Sequence, residues 1–170
     1  MGLVRHGVTA ALTAACGAAC AMHEPGTSLG TFAVTGTLGT QTCGSGVTAD
    51  NPWTFNVRLS RGANTLYWLQ DASPPISGTI DPQGNAVLTS SSTYELQSAT
   101  DGGAPYCGVV RTDTFTAALG TGPVKSFTGT LAYHYDVDQG ADCSAVLPAA
   151  GFGTMPCDVS YELVATRTSL

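Results

Sequence analysis

From Ser126 to Val137 the chain alternates with a period of two. Phe127, Leu131, Tyr133, Tyr135 and Val137 occupy one set of positions, and Ser126, Thr128, Thr130, Ala132, His134 and Asp136 the other. Successive side chains of an extended backbone point to opposite faces, so this pattern specifies a half-buried antiparallel strand. Its aromatic and threonine content points the same way. Cys107 to Ala118 reads as the preceding strand, and Gly120-Thr121-Gly122-Pro123 as the turn between them. The resulting hairpin sets the fold class for the rest of the chain.

Six further segments repeat the pattern. Thr31 to Thr42 alternates through Phe32, Val34, Gly36 and Leu38, and Trp53 to Ser60 through Trp53, Phe55, Val57 and Leu59. Asn64 to Gln70 places Leu66 and Trp68 inward, and Ile76 to Asp81 is a short fourth strand. Pro82-Gln83-Gly84-Asn85 is a strong turn signal. Ala86 to Ser98 puts Leu88, Ser90, Ser92, Tyr94 and Leu96 on one inner face, and Val159, Tyr161, Leu163 and Ala165 alternate after Cys157. Few charges and abundant Gly, Thr and Ser suit strands and turns better than helices. Eight consecutive strands predict one all-β domain over residues 31–170, an eight-stranded antiparallel up-and-down β-barrel of lipocalin-like or calycin-like architecture. The alternative is a two-sheet β-sandwich.

The strand count sorts the cysteines. If strand one ends at the top, then Cys43, Cys107, Cys143 and Cys157 all fall at that end. The expected disulfides are Cys43 with Cys107 and Cys143 with Cys157. The longer connections (residues 44–51, 71–75, 99–106 and 138–156) share this rim, where such scaffolds carry binding. Asp142 is expected to cap a short helical turn through Ser144 to Leu147, ended by Pro148.

At the amino terminus Arg5 precedes a short uncharged apolar run, Gly7 to Ala15, too short to span a bilayer. Leu12-Thr13-Ala14-Ala15-Cys16 resembles the lipobox of bacterial lipoproteins, with Thr13 where Leu or Val is usual and Leu12 one place further back. The resemblance implies a signal peptide over residues 1–15, acylation (palmitate among the chains) at Cys16 and a lipid-anchored tether over residues 16–30. Cys20 is a poorer candidate, left as a free or intermolecular thiol. Gly17 after the lipidated cysteine favours the outer membrane in an enteric-type sorting scheme. The mature part resembles small, uncharacterised Thr- and Gly-rich β lipoproteins of myxobacteria-like Gram-negative bacteria, which share no functional motif. Gly30-Thr31-Phe32 lacks the Gly-x-Trp opening of lipocalins, so lipocalin ligand chemistry is not carried over.

A net charge of −6 with only 6 Lys and Arg leaves no basic footprint for nucleic acid. Asp136, Asp138, Gly140 and Asp142 resemble the start of a calcium loop, but Ala141 and Leu147 stand where an EF-hand needs Gly and Glu. His134 falls on the outer face, so no Ser-His-Asp set forms around it. His23 and Glu24 read as solvated linker residues. No cofactor, metal or catalytic residue is expected, and the chain reads as a non-enzyme. Arg111 and Asp113 share the inner face of strand six, either paired inside or displaced outward by a bulge. Trp53, Trp68, Tyr94, Tyr133, Tyr135 and Tyr161 are placed in the interior. The candidate ligand contacts are Trp53, Trp68, Arg111 and Tyr133. The expected function is an envelope protein whose braced rim binds a protein or glycan. The alternatives are a carrier of a small apolar ligand and a protease inhibitor.

Overall fold

The structure, a computed structural model, describes residues 25–70, 74–99 and 103–170. Cys16, Cys20, His23 and Glu24 lie outside the described residues. Eight antiparallel strands close into a single up-and-down barrel in sequence order. They are β1 (Thr27–Gln41), β2 (Trp53–Arg61), β3 (Thr65–Leu69), β4 (Ile76–Ile80), β5 (Asn85–Gln97), β6 (Cys107–Ala118), β7 (Ser126–Val137) and β8 (Cys157–Ser169). Closure runs through β1 and β8, from Thr31 opposite Ser169 to Gln41 opposite Val159. Strand β1 starts at Thr27, so residues 27–30, expected in the tether, belong to the barrel.

The alternation translates directly into a core. Phe32, Val34, Val57, Leu59, Leu66, Leu88, Phe127, Leu163 and Ala165 are buried and pack as one cluster. Their neighbours in sequence, such as Thr54, Asn56 and Arg58, face solvent. Ser60 breaks the rule: it sits on the outer face of β2 yet is fully buried. Its hydroxyl donates to the carbonyl of Pro25, so the segment leading into β1 lies against the outside of the barrel at its base.

The turn at Pro82 to Gly84 forms as expected. The Asn85 backbone N–H and side-chain amide both donate to the Asp81 carboxylate, at 2.8 and 2.9 Å. These bonds hold that carboxyl below its usual range. Gly84 has φ +87°, and a Cβ there would run into the backbone of Gly120. A left-handed L-residue costs about 1–2 kcal/mol before any clash is counted. Gly84→Ala is therefore expected to lower the unfolding free energy by at least about that amount, read as a lower urea midpoint at unchanged slope.

All four described cysteines are bridged, but in a different pairing from the expected one: Cys43 with Cys157 and Cys107 with Cys143. The reason is closure. A disulfide needs Cα atoms within about 7 Å, and only adjacent strands, about 4.8 Å apart, bring their ends that close. Once β1 meets β8, Cys43 and Cys157 sit at neighbouring strand ends, with Cα atoms 5.0 Å apart. Cys107 and Cys143 flank the β6–β7 hairpin at 4.8 Å. The expected Cys43–Cys107 bridge would have to reach from β1 to β6, past β8 and β7.

The β7–β8 connection carries α1 (Val146–Ala149). Asp142 accepts from the Ser144 N–H at 3.1 Å, as a capping residue would, but the helical turn sits later than expected. Pro148 lies inside it rather than ending it, which the first turn of a helix tolerates. Leu147 packs with Cys107, Val109 and Cys143 into a small second core beneath this loop.

Candidate functional site

The barrel wall is uneven in height. Strands β3 and β4 have five residues each, against thirteen in β5 and twelve in β6 and β7. Strand β4 meets β5 only from Gly78–Leu88 to Ile80–Ala86. Among the described residues, the length of β5 above Leu88 is therefore paired only to β6. On the other side, β2 meets β3 from Arg58 to Arg61, leaving Trp53 to Val57 paired to β1 alone among the described residues. Among the described residues, a notch results above the β3–β4 hairpin. The opposite side stands full height and is braced by both disulfides. It is tied across the rim by Gly46 N–H to Gly151 C=O at 2.7 Å and Gly153 N–H to Cys43 C=O at 3.0 Å.

The interior changes character from base to mouth. Below, Phe32, Phe115 and Phe127 interlock, with ring centroids 5.3 and 6.0 Å apart. Above them Trp68, 5 % exposed, lies 4.6 Å from the Phe115 ring and 5.8 Å from Phe55. Higher still the wall becomes polar. Register places Arg111 between Ser92 of β5 and Tyr135 of β7, and Asp113 between Ser90 and Tyr133. Pairing is continuous through both residues, so no bulge turns them outward, and they meet inside. Arg111 Nε donates to Asp113 Oδ1 at 2.7 Å and Nη2 to Oδ2 at 2.8 Å, a bidentate fork. The guanidinium also sits 4.9 Å from the Tyr133 ring centroid and 5.5 Å from that of Tyr94, within cation–π range.

Burial sets the local electrostatics. It pushes the Asp113 carboxyl up, with the Arg111 hydrogen bonds and charge pulling back. Burial opposes the Arg111 charge too, but its bonds to Asp113 outweigh this and keep the guanidinium protonated. The Tyr133 hydroxyl is driven well above its usual range by burial, with the Asp113 charge adding to the effect.

Three hollows meet at Arg111. One, of about 250 Å³, opens through the notch and is walled by Trp68, Gln70, Ile76, Ser90, Asp113 and Tyr133 among others. A second, of about 200 Å³, lies towards Trp53, Tyr135 and Tyr161. The third, of about 450 Å³, runs under Val47 and Phe152 towards Tyr94 and Leu96. The four expected ligand contacts are thus distributed around one mouth. Trp68, Arg111 and Tyr133 line the first hollow, and Trp53, Arg111 and Tyr133 the second.

Two expectations need correction. Tyr94 and Leu96 lie on the inner face of β5 in register, yet are 44 % and 38 % exposed. They rise past the top of β4, so that among the described residues β5 has no strand partner on that side at their level. Gln70, Pro74 and Ile76 were not anticipated at the site. They reach it because the β3–β4 hairpin is low, which the brevity of those strands foreshadows but register alone reveals. His134 lies on the outside, Nδ1 2.8 Å from Asp158 Oδ1. Asp136, Asp138 and Asp142 each accept a nearby backbone N–H instead of converging. Among the described residues, no three His, Cys, Asp or Glu side chains are placed to hold a metal ion. The chain matches no protein-family model, curated protein or solved structure.

Proposed function

We propose that this is an exported, lipid-anchored envelope protein, acylated at Cys16 and residing at the outer membrane. It works by binding, not catalysis, and holds a protein or glycan at the open end of the barrel. The observation that carries this reading is the asymmetry of that end. A rim braced by two disulfides faces a lowered wall, and a polar, aromatic-lined vestibule lies between them. Two disulfides are compatible with an extracellular or envelope location. The packed lower barrel leaves an apolar carrier little room, and this favours the rim reading.

Metabolic labelling with an alkyne fatty acid is expected to mark the wild type and not Cys16→Ser; label retained in that variant overturns the anchor. For binding, the purified chain is passed over immobilised envelope glycans and envelope proteins. Tyr94→Ala combined with Leu96→Ser changes two exposed side chains at the mouth and leaves the core intact. Retention of the wild type that this pair weakens supports the open end as the binding surface. Equal retention of both proteins overturns that placement.

A further inference from the structure

We infer that the hollow opening through the notch is a binding site for one neutral sugar ring, such as the terminal residue of a glycan, held by Arg111 and Asp113. This rests on the reading of the open end as the binding surface and names its ligand.

The argument proceeds by elimination among ligand chemistries. An unpaired arginine would select an anion, but here Asp113 occupies two of the guanidinium's donors and cancels its charge. An anion entering the hollow would meet that carboxylate directly, in a chain of net charge −6. A cation would meet Arg111. A purely apolar ligand would cover Arg111, Asp113, Gln70 and Ser90 without offering them a hydrogen bond, which is costly. What fits is a neutral molecule that donates and accepts at adjacent positions and also carries an apolar flank. A sugar ring does this. Neighbouring hydroxyls can accept from the guanidinium N–H groups that Asp113 and Tyr135 do not take up and donate to the remaining carboxylate lone pairs, while its C–H face packs on Trp68 and Tyr133.

Size and energetics agree. At about 250 Å³ the hollow lies just below the usual range of drug-sized sites, about 300–1,000 Å³, so it takes one ring and not a chain. Further residues of a glycan would leave through the notch. A half-buried ion pair is also a poor stabiliser, since well-packed apolar residues commonly do as well or better. Arg111 and Asp113 therefore have a use that packing does not explain.

The experiment is titration of the purified, disulfide-intact full chain in detergent, followed by tryptophan fluorescence and calorimetry. The probes are the neutral methyl glycosides of glucose, galactose, mannose and N-acetylglucosamine, with glucuronate and palmitate as charged and apolar comparisons. At least one neutral glycoside is expected to bind saturably, with affinity nearly unchanged between about 0.05 and 0.5 M salt because no net charge is matched. Asp113→Asn is expected to weaken that binding at least about tenfold, the scale of a lost hydrogen bond to a charged group. The same variant leaves Arg111 unpaired and should gain affinity for glucuronate. Arg111→Met is expected to abolish both, and a circular dichroism melt confirms that each variant is folded. The gain for glucuronate is a result that mere destabilisation does not produce. Absence of binding by every neutral glycoside, or binding that both folded variants leave intact, overturns the inference. Preference of the wild type for glucuronate or palmitate also overturns it. Retention on immobilised glycans that Tyr94→Ala with Leu96→Ser weakens but Asp113→Asn does not would reject the pocket while sparing the wider reading.

Discussion

Replacing Cys43 and Cys157 together by Ala is expected to lower the unfolding free energy by about 4–5 kcal/mol, the larger loss of the two bridges. The two cysteines are 114 residues apart in sequence, and loop-entropy scaling for so long a loop gives a value slightly above the ~4.7 kcal/mol of a 100-residue loop. The Cys107–Cys143 bridge spans 36 residues and falls between that value and the ~3 kcal/mol of a 15-residue loop. The difference reaches beyond entropy. Cys43–Cys157 staples the seam where the first and last strands meet, the contact of highest sequence separation in the barrel. Cys107–Cys143 instead reinforces a hairpin that local pairing already holds. Guanidinium unfolding of the two double variants measures the order, and peptide mapping without reductant checks the pairing. A Cys107–Cys143 variant that is the less stable of the two would mean that the seam is not where the bridge acts.

Phe32→Ala is expected to cost about 3–5 kcal/mol, the range for removing a buried aromatic ring. Phe32 is fully buried in β1 and its ring lies 5.3 Å from that of Phe127 across the barrel. Truncation opens a cavity that the wall does not readily collapse to fill, because β1 is hydrogen-bonded to β2 on one side and β8 on the other at that level. Val164→Ala is the comparison. That valine is 60 % exposed on the outer face of β8 and should change stability by no more than about 0.5 kcal/mol. The contrast, measured by the shift in urea midpoint, tests the inward and outward assignment of the faces.

Much of the barrel is legible from the chain because the period of two survives in every strand. Phe32 to Leu38, Trp53 to Leu59 and Val159 to Ala165 each place their apolar set without help from tertiary context. The Arg111–Asp113 pair is likewise readable as two polar residues on an inner face. Alternation reports only the face, however, and neither the height nor the partner. Tyr94 has the phase of an interior residue, but its neighbour β4 stops below it, and strand length relative to a neighbour is a property of register. The disulfides show the same limit. Placing four cysteines at one end follows from counting strands, whereas their pairing follows from which strand ends touch. Closure of β1 onto β8 decides that question, and Cys43 with Cys107 satisfies the count without satisfying the circle.

The burial of Ser60 beneath Pro25 sets the molecule's stance. Strand β1 rises from that point, and β8 descends to Ser169 beside it, so both ends of the barrel chain leave from the closed floor. With acylation at Cys16, the nine residues to Pro25 can reach at most about 30 Å. Under that proposal the floor would be leashed near the bilayer and the vestibule would point away from it. Twelve-residue strands such as β7, tilted about 40°, lift the vestibule a further ~30 Å. Such a molecule is a short mast with its receptacle at the masthead. Anchored in the proposed way, it would meet what lies across a gap from its own membrane, with the lipids beneath it out of reach.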